Sequence, residues 1–186
     1  MSYVILYYHF VFRTKCNLRV IDEDAADRLY RYINGISSNL GCTLLKVNGM
    51  PDHIHIAVSL NPDVSPADYM REVKSSSSKW IAGNKLFPGF QGWGKSYFGS
   101  TFSSKDRGKV ESYIANQQIH HRKMTMREEL ESFFSSLGMD DKLHISLGID
   151  GDVRRLCRRD RTGMRIPQAA LRLRGVISVW RLCRRV

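Results

Sequence analysis

Hydrophobic and polar positions change rhythm several times along this chain, and each rhythm predicts an element. Residues 2–12, SYVILYYHFVF, are dense in aromatic and β-branched side chains and predict a buried strand. From about Asp24 to Leu40 the rhythm turns helical. Ala25, Ala26, Leu29, Ile33, Ile36 and Leu40 keep one side, and Gly41 stands where a C-terminal cap belongs. CTLLKV and HIHIAVSL then read as two strands of a hairpin joined by a loop containing NGMPD. SPAD opens the next helix, with Ser65 as N-cap and Pro66 at the first helical position. Tyr69, Met70, Val73 and Trp80 carry that helix to near Gly83. A glycine- and aromatic-rich loop, NKLFPGFQGWGK, leads to a strand at SYFGSTF. Two more helices are expected at about 104–121 and 126–137. Thr125 and Glu128 have capping-box spacing for the second, and Gly138 ends it.

The order β-α-β-β-α-β, then α-α, is that of a ferredoxin-like α+β fold. It predicts an antiparallel sheet with helices packed on it, followed by a helix bearing Tyr113 and a further C-terminal helix. Many unrelated functions use this topology, so the chemistry has to be found in particular side chains.

Composition changes the picture at one place. The chain has 186 residues and a formal net charge of +11. Residues 1–150 hold 18 Lys and Arg against 16 Asp and Glu, whereas residues 151–186 hold 11 Arg, no Lys and 2 Asp. RLCRR occurs twice in that last segment, at 155–159 and 181–185. The plain readings of it are a disordered basic extension or read-through from an altered frame. An arm that grips DNA phosphates is the sharper one. The high charge therefore says little about the partner of the main body. No apolar run is long enough for a membrane span, and the N-terminus reads as a strand rather than a signal peptide. Cys16, Cys42, Cys157 and Cys183 form no CxxC pair and are read as reduced thiols of a cytoplasmic protein.

The candidate chemistry begins at NGMPDHIHIAVSL. Alternate residues of a strand share a face, so His53, His55, Ala57 and Ser59 point one way, and Ile54, Ile56, Val58 and Leu60 the other. The isoleucine side is the expected core face. Two imidazoles roughly 6.5–7 Å apart at Cβ can converge on one divalent ion. They can equally be two polar residues on a solvated face. Further along, VESYIANQQIHH sets Tyr113 and Gln117 four apart, on one helical face. A glutamine amide oxygen suits a hard ion such as Mg²⁺ or Mn²⁺. A tyrosine hydroxyl one turn away is a candidate nucleophile, with a half-buried packing tyrosine as the structural alternative.

Four stretches, YYHFVFRTKC, GMPDHIHIAV, WGKSYFGSTF and VESYIANQQIHH, occur in an order that resembles the HUH-type single-strand tyrosine transposases of minimal bacterial insertion sequences, the IS200-like transposases. The resemblance implies that His53, His55 and Gln117 bind Mg²⁺ or Mn²⁺ and that Tyr113 is the nucleophile. It implies cleavage and rejoining of single-stranded DNA through a 5′-phosphotyrosine link, a free 3′-OH, and recognition of hairpins near the element's ends. It also implies a homodimer with sheets joined edge to edge, in which the tyrosine helix of one subunit often completes the histidine site of the other. A bacterial, nucleoid-associated protein is expected. An inactive or domesticated relative that binds hairpins without cutting is the alternative. A catalytic domain over 1–145 and an Arg-rich extension over 146–186 follow, since the resemblance fades by about residue 145.

DNA contacts in the body would fall to Arg13, Lys15, Lys74, Lys79, Lys95, Lys105, Arg107 and Lys109, beside the aromatic rings of FPGFQGWGKSYF. His9 shares a strand face with Tyr7 and Val11 and is read as a satisfied core histidine in preference to a site residue. Asp52 is read as a turn residue after Pro51, in preference to a carboxylate partner for a histidine. His120 and His121 suit a helix C-terminus.

Overall fold

The computed structural model describes residues 4–117; the expected helix at 126–137, His120, His121 and the Arg-rich extension lie outside the described residues. The first strand, β1, is Tyr7–Arg13, and helix α1 is Glu23–Asn39. Strands β2 (Thr43–Met50) and β3 (His53–Ser59) form the hairpin. Helix α2 is Pro66–Asn84, strand β4 is Phe98–Thr101, and helix α3 is Arg107–Ala115. The four strands make one sheet in the order β2-β3-β1-β4, with every neighbouring pair antiparallel. This is the expected ferredoxin-like arrangement.

Local chemistry sets the helix ends. The Asp22 carboxylate accepts from the Asp24 and Ala25 backbone amides, which starts α1 two residues before the periodic pattern does. Gly41 follows α1 at a φ of 66°, where a side chain would be strained. Ser65 caps α2 through the Asp68 amide, with Pro66 behind it as expected. Lys85, in left-handed conformation, closes that helix after Asn84.

The hairpin is tighter than its sequence implies. Asn48, Gly49 and Met50 belong to β2, and the turn is only Pro51–Asp52. Gly49 pairs with Ile54, and a Cβ there would lie 2.3 Å from the His53 carbonyl oxygen. Only glycine lets the two strands run together this far. In the same way a Cβ at Gly99 would meet the Phe10 ring at 2.9 Å.

One sheet face forms the core. Phe10, Phe12, Ile54, Ile56 and Val58 pack against Leu29, Ile33 and Ile36 of α1 and Tyr69, Met70, Val73 and Ile81 of α2. The Ser37 and Tyr69 hydroxyls, 2.8 Å apart, tie the two helices together inside that core, and Ser37 also donates to the Ile33 carbonyl. Burial pushes the Tyr69 phenol well above its ordinary pKa, so it remains a neutral hydrogen-bonding group. Helix α3 lies on the other face, against β2 and β3.

Candidate active site on the second face of the sheet

The register brings the polar residues together. Val11 stands opposite His55, Arg13 opposite His53 and His9 opposite Ala57, while Asn48 and Met50 flank the same histidines from β2. Directly paired residues share a face, so these side chains gather on the side away from α1 and α2. This face is not solvated. His53 is 2% exposed and His55 fully buried, because α3 crosses it.

Each histidine is held through its Nδ1. That of His53 lies 2.7 Å from the Asp52 carboxylate, which can only accept, so the imidazole donates. Burial raises the Asp52 pKa, but the His53 hydrogen bond and charge, with Arg19 at 3.9 Å, outweigh it and leave the carboxyl below its usual range. The turn that carries Asp52 is itself anchored. Its carbonyl accepts from the Thr14 amide at 2.9 Å, and the Pro51 carbonyl from the Val20 and Ile21 amides. Asp52 is thus both a turn residue and the partner of His53, which corrects the preference for the turn role alone.

The Nδ1 of His55 lies 3.1 Å from the Nε2 of His9. His9 is therefore no core histidine; it stands on the site face beside His55. Desolvation lowers its pKa from 6.5 to about 4, which leaves the ring neutral near pH 7. Tyr113 meets both rings edge-on, with centroids 6.1 Å from His9 and 6.0 Å from His55. Gln117 is fully buried, and neither of its amide atoms has a hydrogen-bond partner among the described residues.

One element differs from expectation. The helix over 104–121 was expected to run unbroken through Tyr113 and Gln117, yet α3 ends at Ala115, with Asn116 as its cap. The Asn48 amide donates to the Ile114 and Ala115 carbonyls, both at 3.0 Å, and its own oxygen accepts from the Gly49 amide. Asn48 thus ends the helix and fastens it to β2. Sequence reasoning placed this residue in a loop; its alternation with Lys46 and Met50 was the available signal.

Among the described residues no three His, Cys, Asp or Glu side chains are grouped to hold a metal. An ion on this face would therefore rest on His53, His55 and the neutral Gln117 amide oxygen. Two imidazoles and an amide oxygen suit a borderline-to-hard divalent ion, and a buried amide lacking a partner is the kind of group an ion would satisfy. The donor set fits.

The candidate DNA contacts divide. Arg13 is partly buried beside the site, where desolvation lowers its pKa and Asp52 counters it. Lys74 donates to the Lys95 and Ser96 carbonyls at 2.8 and 3.3 Å and so supports the loop before β4. Arg107 pairs with Glu111 and Lys109 with Asp106 along α3. Lys15 is partly exposed, and Lys79, Lys95 and Lys105 are exposed. Among the described residues no helix is long and apolar enough to cross a membrane.

A four-stranded antiparallel sheet that buries the two histidines of a His-Ile-His strand beneath a tyrosine-bearing helix defines the class. The family model described as IS200-like transposase matches residues 2–117, and the chain belongs to that family. Membership supports a transposase function and implies DNA strand transfer. The chain is 27% identical over 117 residues to the ISDra2 transposase TnpA of Deinococcus radiodurans, covering 60% of this chain and 84% of that protein. A crystal structure of a Deinococcus radiodurans protein assigned as a transposase is 28% identical with a TM-score of 0.50, covering 63% of this chain and 95% of its own. A REP-associated tyrosine transposase, solved bound to a REP hairpin, shares the fold at 16% identity and a TM-score of 0.50, over 65% of this chain and 72% of its own.

Proposed function

We propose that this transposase cleaves and rejoins single-stranded DNA with Tyr113 as nucleophile and with His53, His55 and Gln117 as ligands of Mg²⁺ or Mn²⁺. The observation that carries this reading is the meeting of Tyr113 with the His9–His55 pair on a buried sheet face. A structural tyrosine needs no such company.

In the reaction the Tyr113 oxygen attacks the scissile phosphorus. A new P–O bond forms to the phenol, and the bond from phosphorus to the 3′ oxygen breaks. The phenolic proton leaves, and the departing strand ends as a 3′-OH. Attack by a 3′-OH on the phosphotyrosine reverses these changes on a new strand, so the bond energy is kept and no water is consumed. The bound ion would supply Lewis-acid polarisation of the phosphate and orientation. The protein's own part is to hold two unprotonated imidazole nitrogens and an amide oxygen in place before DNA arrives. The Asp52 carboxylate contributes by keeping the His53 proton on Nδ1. Arg13, partly buried and interacting with Asp52, is the proposed contact for a phosphate. DNA hairpins are the proposed partner; the REP-associated relative was solved bound to one.

A homodimer joined at sheet edges belongs to the same reading. Strand β4 ends the sheet, pairing with β1 alone among the described residues. The proposed location is the bacterial nucleoid, and the proposed catalytic domain is 1–145, with 146–186 an extension. The test is incubation with single-stranded oligonucleotides copied from DNA flanking the gene, with Mn²⁺ or Mg²⁺, on a denaturing gel. A covalent adduct lost with EDTA and in Tyr113→Phe is expected. Nicking by Tyr113→Phe at the normal rate would overturn the assignment. Hairpin binding by the wild type with no adduct would point to a binding-only relative.

A further inference from the structure

The two histidines are held by different partners, and the difference carries a consequence for tautomers. His53 faces a carboxylate that can only accept. His55 faces another imidazole, and the 3.1 Å contact between His55 Nδ1 and His9 Nε2 can run in either direction. The rings lie 23° from coplanar with centroids 5.3 Å apart, so they meet edge to edge within nearly one plane, as an N–H···N hydrogen bond requires. A neutral imidazole carries one proton. If His9 donates, His55 Nδ1 must accept, and the His55 proton sits on Nε2, where it blocks that nitrogen as a ligand. If His9 accepts, the proton sits on His55 Nδ1 and Nε2 keeps its lone pair.

We propose that His9 is a positioning residue that accepts the Nδ1 proton of His55 and so fixes His55 in the tautomer able to bind a divalent ion through Nε2. The inference rests on the metal reading above and adds a residue to it. Its logic is that of the Asp52–His53 pair with a neutral anchor in place of a charged one. Two different elements supply the two anchors. Asp52 comes from the hairpin turn, and His9 from β1, two pairs along the register from Val11 opposite His55. Tyr113 packs edge-on against His9 as well as His55, so the same residue also shapes the floor beneath the nucleophile.

The test uses the full chain and Mn²⁺ alone, titrated against wild type, His9→Phe and His9→Gln while free Mn²⁺ is followed by electron paramagnetic resonance. Phenylalanine keeps a ring but has no acceptor; the glutamine amide oxygen can reach the position of Nε2. His9→Phe should weaken Mn²⁺ binding by about 10–100-fold, as removal of an outer partner of a ligand does, and His9→Gln should restore most of it. Unchanged affinity in His9→Phe, or equal weakening in both variants, would overturn the proposal. Long-range ¹H–¹⁵N spectra of the wild type, without metal, decide the direction even if His9→Phe fails to fold. His55 should be protonated at Nδ1 and His9 unprotonated at Nε2; the reverse pattern refutes the relay. If the wild type binds no Mn²⁺, the metal reading fails, and the spectra still judge the hydrogen bond.

Discussion

Strand β3 has two faces that are equally dry and chemically opposite. Ile54, Ile56 and Val58 belong to the apolar core formed with both helices, and none has exposed surface. His53 and His55, on alternate positions of the same seven residues, are nearly as deeply buried. A buried imidazole needs a partner for each nitrogen, and desolvating it costs free energy that an isoleucine gains. The first face therefore holds the sheet together. Under the proposed function, the second face is kept against a stability cost for the chemistry of the histidines.

The comparison breaks most visibly by exchanging one residue on each face. Ile56→Ala should lower unfolding free energy by about 2–5 kcal/mol, the usual cost of such a deletion in a packed core. Whatever remains folded should still form the DNA adduct. His55→Leu replaces a polar ring by an apolar chain of similar reach but leaves the His9 Nε2 without its partner, so it should lower stability by about 1–3 kcal/mol. Adduct formation should be lost altogether. Urea unfolding and the denaturing gel, run on the same two preparations, check both. A severe stability loss in His55→Leu with adduct retained would mean that the histidine face is structural after all.

A smaller effect lies in acid. The folded pKa of His9, about 4, is below its ordinary 6.5, so the unfolded chain binds this proton more readily between those values. Stability attributable to His9 is complete above pH 6.5, falls as pH drops toward 4, and is constant below. The slope should approach roughly 1 kcal/mol per pH unit. Thermal melts from pH 7 to 4 should show it in the wild type and lose it in His9→Gln. The same slope in both would assign the acid loss to other groups.

The two faces also differ in how far they could be read from sequence. The core face follows from alternation in HIHIAVSL and from the helical period of Leu29, Ile33 and Ile36, because apolar burial leaves a periodic trace. His53, His55, Tyr113 and Gln117 were legible as candidates through spacing and family resemblance. Their supports were not. His9 acts through a pairing across strands, and a hydrogen bond between residues 46 apart leaves no local pattern. Asp52 and His53 are neighbours in the chain, but alternation along a strand does not say that the Asp52 carboxylate turns back onto the next ring. The depth of burial was missed for the same reason: what covers the histidines is a helix about 50 residues downstream. The end of α3 at Ala115 was hidden too, since the residue that ends it lies on another strand.

That residue, Asn48, offers the smallest and most local test. Its amide holds the last carbonyls of α3, between Tyr113 and Gln117, while Gly49 anchors its oxygen. Asn48→Ala removes two hydrogen bonds at a helix end and the one from the Gly49 amide, worth about 0.5–1.5 kcal/mol each in net stability. The loss should be confined to the helix. Amide exchange in residues 107–115 should quicken while that of Ile54, Ile56 and Val58 stays as in the wild type, since the core helices do not touch Asn48's bonds. Adduct formation should slow, because a nucleophile free to wander reacts less often. Faster exchange spread through β3 as well would show that α3 and the sheet unfold as one unit. The second face would then be part of the scaffold rather than a chemical layer laid over it.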